Sequence, residues 1–426
     1  MKIAIIGSGI SGLGAAHALR DDARITLYEG APRLGGHTNT VDVTLEGVTA
    51  GVDTGFLVYN ERTYPNLIRL FDELSIPVVK SDMSFAVSVA QRGGRRLEWA
   101  GTDLNAVFAQ RRNLLSPRFL GMLRDILRFN REATLAAQHA ERDTPLSLGE
   151  FLDRGRYGDA FRRWYLLPMA AAIWSCPMTT MLAYPFATFA RFCDNHGLLQ
   201  VENRPQWFTV RGGARQYVRR IASRIPDVRI SDAVVSVRRD TVTGQVLVKS
   251  QHASERYDHV ILACHSDQSL ALLSDADAAE RSVLQGVKYQ PNRALLHTDI
   301  GLMPRLRKVW SSWNYMSDGG TEPNVSVTYL LNKLQPLPFT TPVLLTLNPV
   351  TEPHPDTVIS EIEYAHPIFD GAAIAAQRRL TDVQGHRQVW LAGAWTGYGF
   401  HEDGLKSGLA VAQAIRSQNR ARRLAA

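Results

Sequence analysis

Short, almost wholly apolar runs punctuate this chain. Residues 2–6 (K-I-A-I-I), 24–28 (R-I-T-L-Y) and 257–263 (Y-D-H-V-I-L-A) lack the polar alternation of a half-exposed strand. They predict strands of a parallel sheet covered on both faces. Helical spacing follows the first run, over residues 11–20. It returns at 64–74, where Leu67, Leu70, Phe71 and Leu74 share one face, and at 214–224 and 404–415. Residues 41–46 and 48–52 predict a hairpin around Gly47, and 84–89 and 95–99 a second one closed at Gly93-Gly94. Further strands are predicted at 228–230, 233–238, 245–250 and 389–391. From 284 to 365 the pattern is β-rich, with runs at 293–297, 326–331 and 343–347 between proline-bearing loops.

Residues 102–204 differ. Over 111–131 six arginines (Arg111, Arg112, Arg118, Arg124, Arg128, Arg131) interleave with leucines and aromatics, and Asp125 is the only acid there. This predicts one or two amphipathic helices with a basic face. Such a face suits an anionic membrane interface; it equally suits a solvated surface on a helix packed against the domain. The stretches 167–177 and 184–192 are small and apolar. They suit the wall of a greasy pocket or an ordinary helix core. His196, before a glycine, reads as a turn or cap.

Composition narrows the picture little. The 426 residues allow two or three domains, 45% are hydrophobic, and the net charge of +7 permits an anionic surface without naming it. Nothing points to nucleic acid. Cys176, Cys193 and Cys264 are widely spaced and odd in number, which suits a reducing compartment and provides no metal-ligand spacing. Met1 leads almost directly into a core strand, so no signal peptide is expected, and no apolar run approaches the ~20 residues of a membrane span.

The chemistry begins at Gly7, Gly9 and Gly12, spaced G-x-G-x-x-G between the first strand and its helix. The first glycine permits the turn, the second lets backbone approach a pyrophosphate, and the third lets helix pack on strand; Ser11 lies in the first helical turn. Glu29 closes the second strand roughly 20 residues on, where a ribose hydroxyl would donate to it. Arg33-Leu34-Gly35-Gly36 then adds a cation for the pyrophosphate and two glycines beside which a ribityl chain can pass. A nicotinamide enzyme has little need of these, so the spacing points to FAD.

These residues resemble the flavin-containing amine oxidoreductase superfamily, which includes amine oxidases, phytoene desaturases and protoporphyrinogen oxidases. A second block, 389–408, resembles its closing FAD motif: V-W-L-A-G-A-W-T, then G-F-H-E-D-G-L-K-S-G. G-G-H-x-x-T and G-F-H-E-D-G are closer to a bacterial predicted NAD/FAD-binding protein subgroup that resembles the N-terminal region of plant cyclopropane fatty acid synthases. The resemblance implies a Rossmann-like α/β FAD-binding domain of the GR2 type (1–75, 205–283, 385–420). It implies a discontinuous α+β substrate domain (76–101, 284–384) and a helical insert (102–204) lining substrate access. It places Gly7, Gly9, Ser11, Gly12, Glu29, Arg33, Gly35, Gly36, His37, Gly55, Phe56, Gly212, Gly213, Val235, Gly393, Glu402, Asp403 and Leu405 at non-covalent FAD.

The usual Gly-Asp of the last motif reads Gly393-Ala394 here, and the superfamily's flavin-facing lysine has no clear match among Lys288, Lys333 and Lys406. His401, Glu402 and His297 are the candidate bases, with capping of the closing helix the alternative role for Asp403. The implied activity is hydride transfer from a substrate carbon to flavin N5, on a fatty acyl chain of a phospholipid. The alternatives are a soluble amine oxidase, to which Trp310, Trp313, Tyr315 and Trp395 would lend an aromatic cage, and a non-catalytic flavoprotein partner of a lipid methyltransferase. The expected location is cytoplasmic, with peripheral attachment to the inner membrane face an option.

Overall fold

The structure is a computed structural model, describing residues 1–139, 146–174, 178–200, 204–320 and 324–425. Cys176 and part of the stretch 167–177 lie outside the described residues. The apolar runs form a five-stranded, wholly parallel sheet in the order Asp227–Ile230, Arg24–Glu29, Lys2–Ile6, His259–Leu262, Val389–Leu391. Ile3, Ala4 and Ile5 are fully buried at its centre, as a strand with both faces covered requires. Helix Ile10–Leu19 follows the first strand. Helix His401–Ala425, after the last strand, packs against it.

These two helices approach very closely. A Cβ on Gly408 would lie 2.1 Å from the Ser11 carbonyl oxygen, and one on Gly404 2.8 Å from Ile10 Cγ2. The closing helix starts at His401 and runs to Ala425, past the 404–415 that the spacing predicts. Buried Val411, Ala412 and Ile415 hold that stretch, and Arg416 Nε donates to Asp22 at 2.7 Å.

The second layer is a seven-stranded mixed sheet in the order Val358–Ile368, Lys288–His297, Leu344–Leu347, Val325–Leu330, Trp313–Ser317, Phe85–Ala90, Arg96–Ala100. The segment 76–101 is divided: Val78–Ser81 pairs with Trp207–Val210, beside the flavin-motif side of the chain, and only the hairpin from Phe85 joins the large sheet. Gln335 ties the layers, donating to the Asp53 carbonyl at 3.0 Å and accepting from the Asp53 N–H at 2.9 Å. The insert is helical, as its spacing predicts, with Pro117–His139 its longest element and Phe186–Asn195 packed beneath it.

Replacing Gly408 by alanine is expected to destabilise the protein by roughly 1–3 kcal/mol, although alanine favours helix, because the new methyl group meets fixed backbone. Denaturant unfolding checks this; an unchanged midpoint would show that the two helices separate freely.

Candidate functional site

A cavity of about 460 Å³ opens where the two sheets and the insert meet. One end is the glycine turn. Gly7 sits at φ +104°, and a Cβ there would lie 2.6 Å from the Ala263 carbonyl oxygen; one on Gly12 would lie 2.0 Å from that of Gly7. Gly9 has nothing within 4 Å of such a Cβ. Gly7 and Gly12 are therefore glycines for packing, and Gly9 leaves open space in front of a helix that has no side-chain cap and no acid in its first turn. Unpaired N–H groups at a positive dipole end facing open space form an anion site. Beside it, the Glu29 carboxylate accepts from Ser8 N–H at 3.1 Å and from Ala31 N–H at 2.9 Å, at the cavity wall. Ser11, Gly35 and Gly36 line the same end. These residues fit a dinucleotide.

The other predicted residues divide. His37, Gly55, Phe56, Gly393 and His401 line the cavity. Phe56 and His401 stack with ring centroids 4.0 Å apart, and a Cβ on Gly55 would lie 1.9 Å from the His37 carbonyl oxygen. Arg33 does not reach the cavity; it is exposed and donates to the Gly36 carbonyl at 2.8 Å, closing the glycine turn. Gly212 and Gly213 turn the chain into helix Arg215–Ala222 away from the cavity, with Gly213 against Thr40. Val235 is 48% exposed and also outside it. Leu405 is fully buried against Gly14.

Two of the three candidate bases belong elsewhere. The Glu402 carboxylate accepts from Asn66 N–H at 2.9 Å, Asn66 Nδ2 at 2.7 Å and Leu67 N–H at 3.0 Å. It caps helix Pro65–Glu73, whose own N-cap, Tyr64, provides no side-chain oxygen. His297 is fully buried in the large sheet, bonded through Nε2 to the Thr346 hydroxyl at 2.8 Å, and away from the cavity. Asp403 accepts from the Phe400 N–H at 3.0 Å, capping the closing helix; burial pushes its carboxyl up to about 6. Lys288, Lys333 and Lys406 are exposed, and among the described residues no lysine or arginine lines the cavity.

His401 remains. Its Nε2 lies 2.6 Å from the Tyr217 hydroxyl, which in turn bonds the Thr38 hydroxyl. Around it the structure gathers groups that the sequence reading does not select. His196, His265 and His366 join His37 and His401, giving five imidazoles on one cavity wall or another. The His37 ring is 5.0 Å from that of Tyr364 and 5.3 Å from that of His366, and His265 stacks on Tyr289 at 4.2 Å. The Tyr364 hydroxyl bonds the Thr54 hydroxyl at 2.9 Å and accepts from Asn39 at 3.2 Å. Tyr364 and His366 project from one face of the same strand, two residues apart.

Burial holds all five imidazoles neutral: His37 and His401 fall to about 3, His196 and His366 to about 4, and His265 is also lowered. Neighbouring imidazoles add to the effect at His37. The insert end of the cavity is apolar and aromatic, with Trp174, Phe192, Trp313, Tyr329, Leu345 and Leu347. His196 is the C-cap of helix Phe186–Asn195, as its position before glycine suggests, and its ring also stacks on Phe192 at 4.0 Å.

The sequence model of a family described as flavin containing amine oxidoreductase matches residues 10–296, more than half of the chain. The chain belongs to the flavin-containing amine oxidoreductase family. It is an FAD-dependent oxidoreductase. The whole fold is similar to that of the CLA-producing fatty acid isomerase from P. acnes, with 15% identity over 96% of this chain and 98% of that one and a TM-score of 0.66. Wild-type putrescine oxidase bound to putrescine is similar at 14% identity over 98% and 99%, TM-score 0.68. Cyclohexylamine oxidase from Brevibacterium oxydans IH-35A is similar at 16% over 97% and 99%, TM-score 0.66. No curated protein sequence matches the chain.

Two predictions follow from this geometry. Glu402→Ala should cost about 1–3 kcal/mol of stability by freeing the N–H groups of helix Pro65–Glu73, while FAD at saturation still gives a full complement of bound flavin. A stable variant that cannot take up flavin would return Glu402 to the cofactor. The second concerns acid. An unfolded imidazole takes its proton near pH 6.5 and these five take theirs below that, so between those values the unfolded chain holds more protons and stability falls as pH drops below about 6.5. Asp53 and Asp403, raised to about 7 and about 6 by burial, act oppositely, losing stability as pH rises from the ordinary carboxylate range toward those values. Five imidazoles outweigh two carboxyls, so the melting temperature of the flavin-free protein should be lower at about pH 5 than at about pH 7. Equal values would mean that the imidazoles are not desolvated.

Proposed function

We propose that this oxidoreductase is of the desaturase or oxidase type and acts on a fatty acyl chain of a phospholipid. The observation that carries this reading is the insert end of the cavity, which is walled by aromatic and aliphatic side chains and, among the described residues, has no charged group. Of the described side chains that line the cavity only Glu29 is ionic, and it stands at the glycine-turn end, engaged by Ser8 and Ala31. An ammonium substrate would enter a chamber with no carboxylate to receive it, at a high desolvation cost. A hydrocarbon chain loses nothing by the same transfer and gains about 25 cal/mol for each Å² it buries. The fatty acid isomerase that shares this fold supports the reading as a precedent for acyl substrates in this architecture.

FAD, when bound, supplies the redox step, taking a hydride from a substrate carbon. The protein binds, orients and keeps out water. Trp174, Phe192, Trp313, Tyr329, Leu345 and Leu347 bind and straighten the chain. The neutral imidazoles of His37, His366 and His401 line the same cavity as that chamber and the glycine turn. They can exchange hydrogen bonds without bringing a net charge into a low-dielectric space. Tyr217 fixes the His401 ring through Nε2.

The test is anaerobic titration of the purified flavoprotein. Phospholipids with unsaturated or methylated acyl chains should bleach the oxidised flavin band near about 450 nm, and amines should not. Bleaching by amines alone would overturn the acyl reading. A flavin bleached by neither, with oxygen and every other electron acceptor excluded, would also overturn it, in favour of a carrier role beside another enzyme.

A further inference from the structure

The outer surface of the insert has no part in the cavity, and its pattern is unusual. On helix Pro117–His139 the buried face carries Phe119, Met122, Phe129 and Ala133. The opposite face is a ridge at helical spacing: Leu120, Arg124, Leu127, Arg131 and Leu135, all exposed. Leucine and arginine alternate along it. The preceding turn extends it with Leu114 and Leu115, which are 47% and 88% exposed, and with exposed Arg111 and Arg112. A solvated helix face has no use for three outward leucines in a row of turns, since each costs free energy in water.

Among the described residues the acids on this helix do not neutralise the ridge. Asp125 is buried and accepts from the Gly158 N–H at 3.0 Å, and Glu132 accepts from the Tyr157 hydroxyl at 2.6 Å. Arg124 lies 3.8 Å from Asp125 with most of its side chain in solvent, and Arg131 is exposed on the same ridge. Arg111 and Arg112 turn to Asn105 and to backbone carbonyls, keeping their charge at the surface.

We infer that this ridge docks the enzyme on an anionic phospholipid surface, with the arginines on lipid phosphates and Leu115, Leu120, Leu127 and Leu135 sunk among the upper acyl carbons. The occupant follows from the alternation. An acidic protein would match the arginines but leave the leucines against polar groups. A neutral apolar partner would strand the arginines. A charged headgroup layer over hydrocarbon satisfies both. Among the described residues no helix is long and apolar enough to cross a membrane, so the attachment is to one face. The inference stands whether or not the cavity takes an acyl chain.

The test is sedimentation of the full-length, flavin-loaded protein with phosphatidylcholine vesicles, with and without phosphatidylglycerol. Binding is expected with the anionic vesicles and should weaken as salt rises. Arg124→Gln with Arg131→Gln should lower the partition coefficient by about 30-fold. Leu115→Ser with Leu127→Ser should lower it at high as well as low salt. All four positions are exposed, and an unchanged melting temperature and flavin spectrum would show that the variants fold. Equal binding to neutral and anionic vesicles, no binding by the wild type, or variants that bind as the wild type does would each overturn the inference.

Discussion

Everything at the cavity depends on the close passage of two helices from opposite ends of the chain. Gly404 and Gly408 let the closing helix lie against Ile10, Ser11 and Ala15 of the first one. Had either helix carried side chains there, their axes would stand farther apart, and His401 would leave Phe56. The contact also brings Glu402 to helix Pro65–Glu73, so one acid fixes a third element at the same junction. Glycine is used here for close approach rather than for a turn: neither residue has a positive φ.

The second constraint is dielectric. The five imidazoles are crowded by protein, and His37 sits within ring-contact distance of His265, His366 and Tyr364. Protons on two neighbours would repel in a medium that screens poorly. The neutral state follows from burial at all five and, at His37 and His366, from neighbouring imidazoles as well, and it leaves the imidazoles uncharged while remaining rich in hydrogen-bond capacity. His37 Nε2 is buried with no protein partner among the described residues, so part of that capacity is unspent.

The parallel sheet and the glycine turn were legible because their signals are local: apolar runs, glycine spacing and an acid at a strand end. The roles of Glu402 and His297 were not, since both depend on partners far off in sequence. Glu402 reads as a flavin-motif acid, but it is spent on the helix that starts at Pro65. The strand Val358–Ile368 was hidden for another reason. It is the edge of its sheet, so Glu361 and Glu363 face outward, and with the proline they leave the segment no apolar run. Glu361 is held outside by Arg293 at 2.7 Å. An edge strand is meant to look unlike a buried one, and this one carries Tyr364 and His366 into the site.

The insert shows how one element can serve two surfaces without conflict. Helix Pro117–His139 buries Phe129, whose ring lies 5.4 Å from that of Phe161 and 6.3 Å from that of Phe189. Helix Phe186–Asn195 then turns Phe192 to the cavity, where it meets Trp174 at 4.6 Å and Phe400 at 4.8 Å. An aromatic layer thus stands between the outward ridge and the chamber.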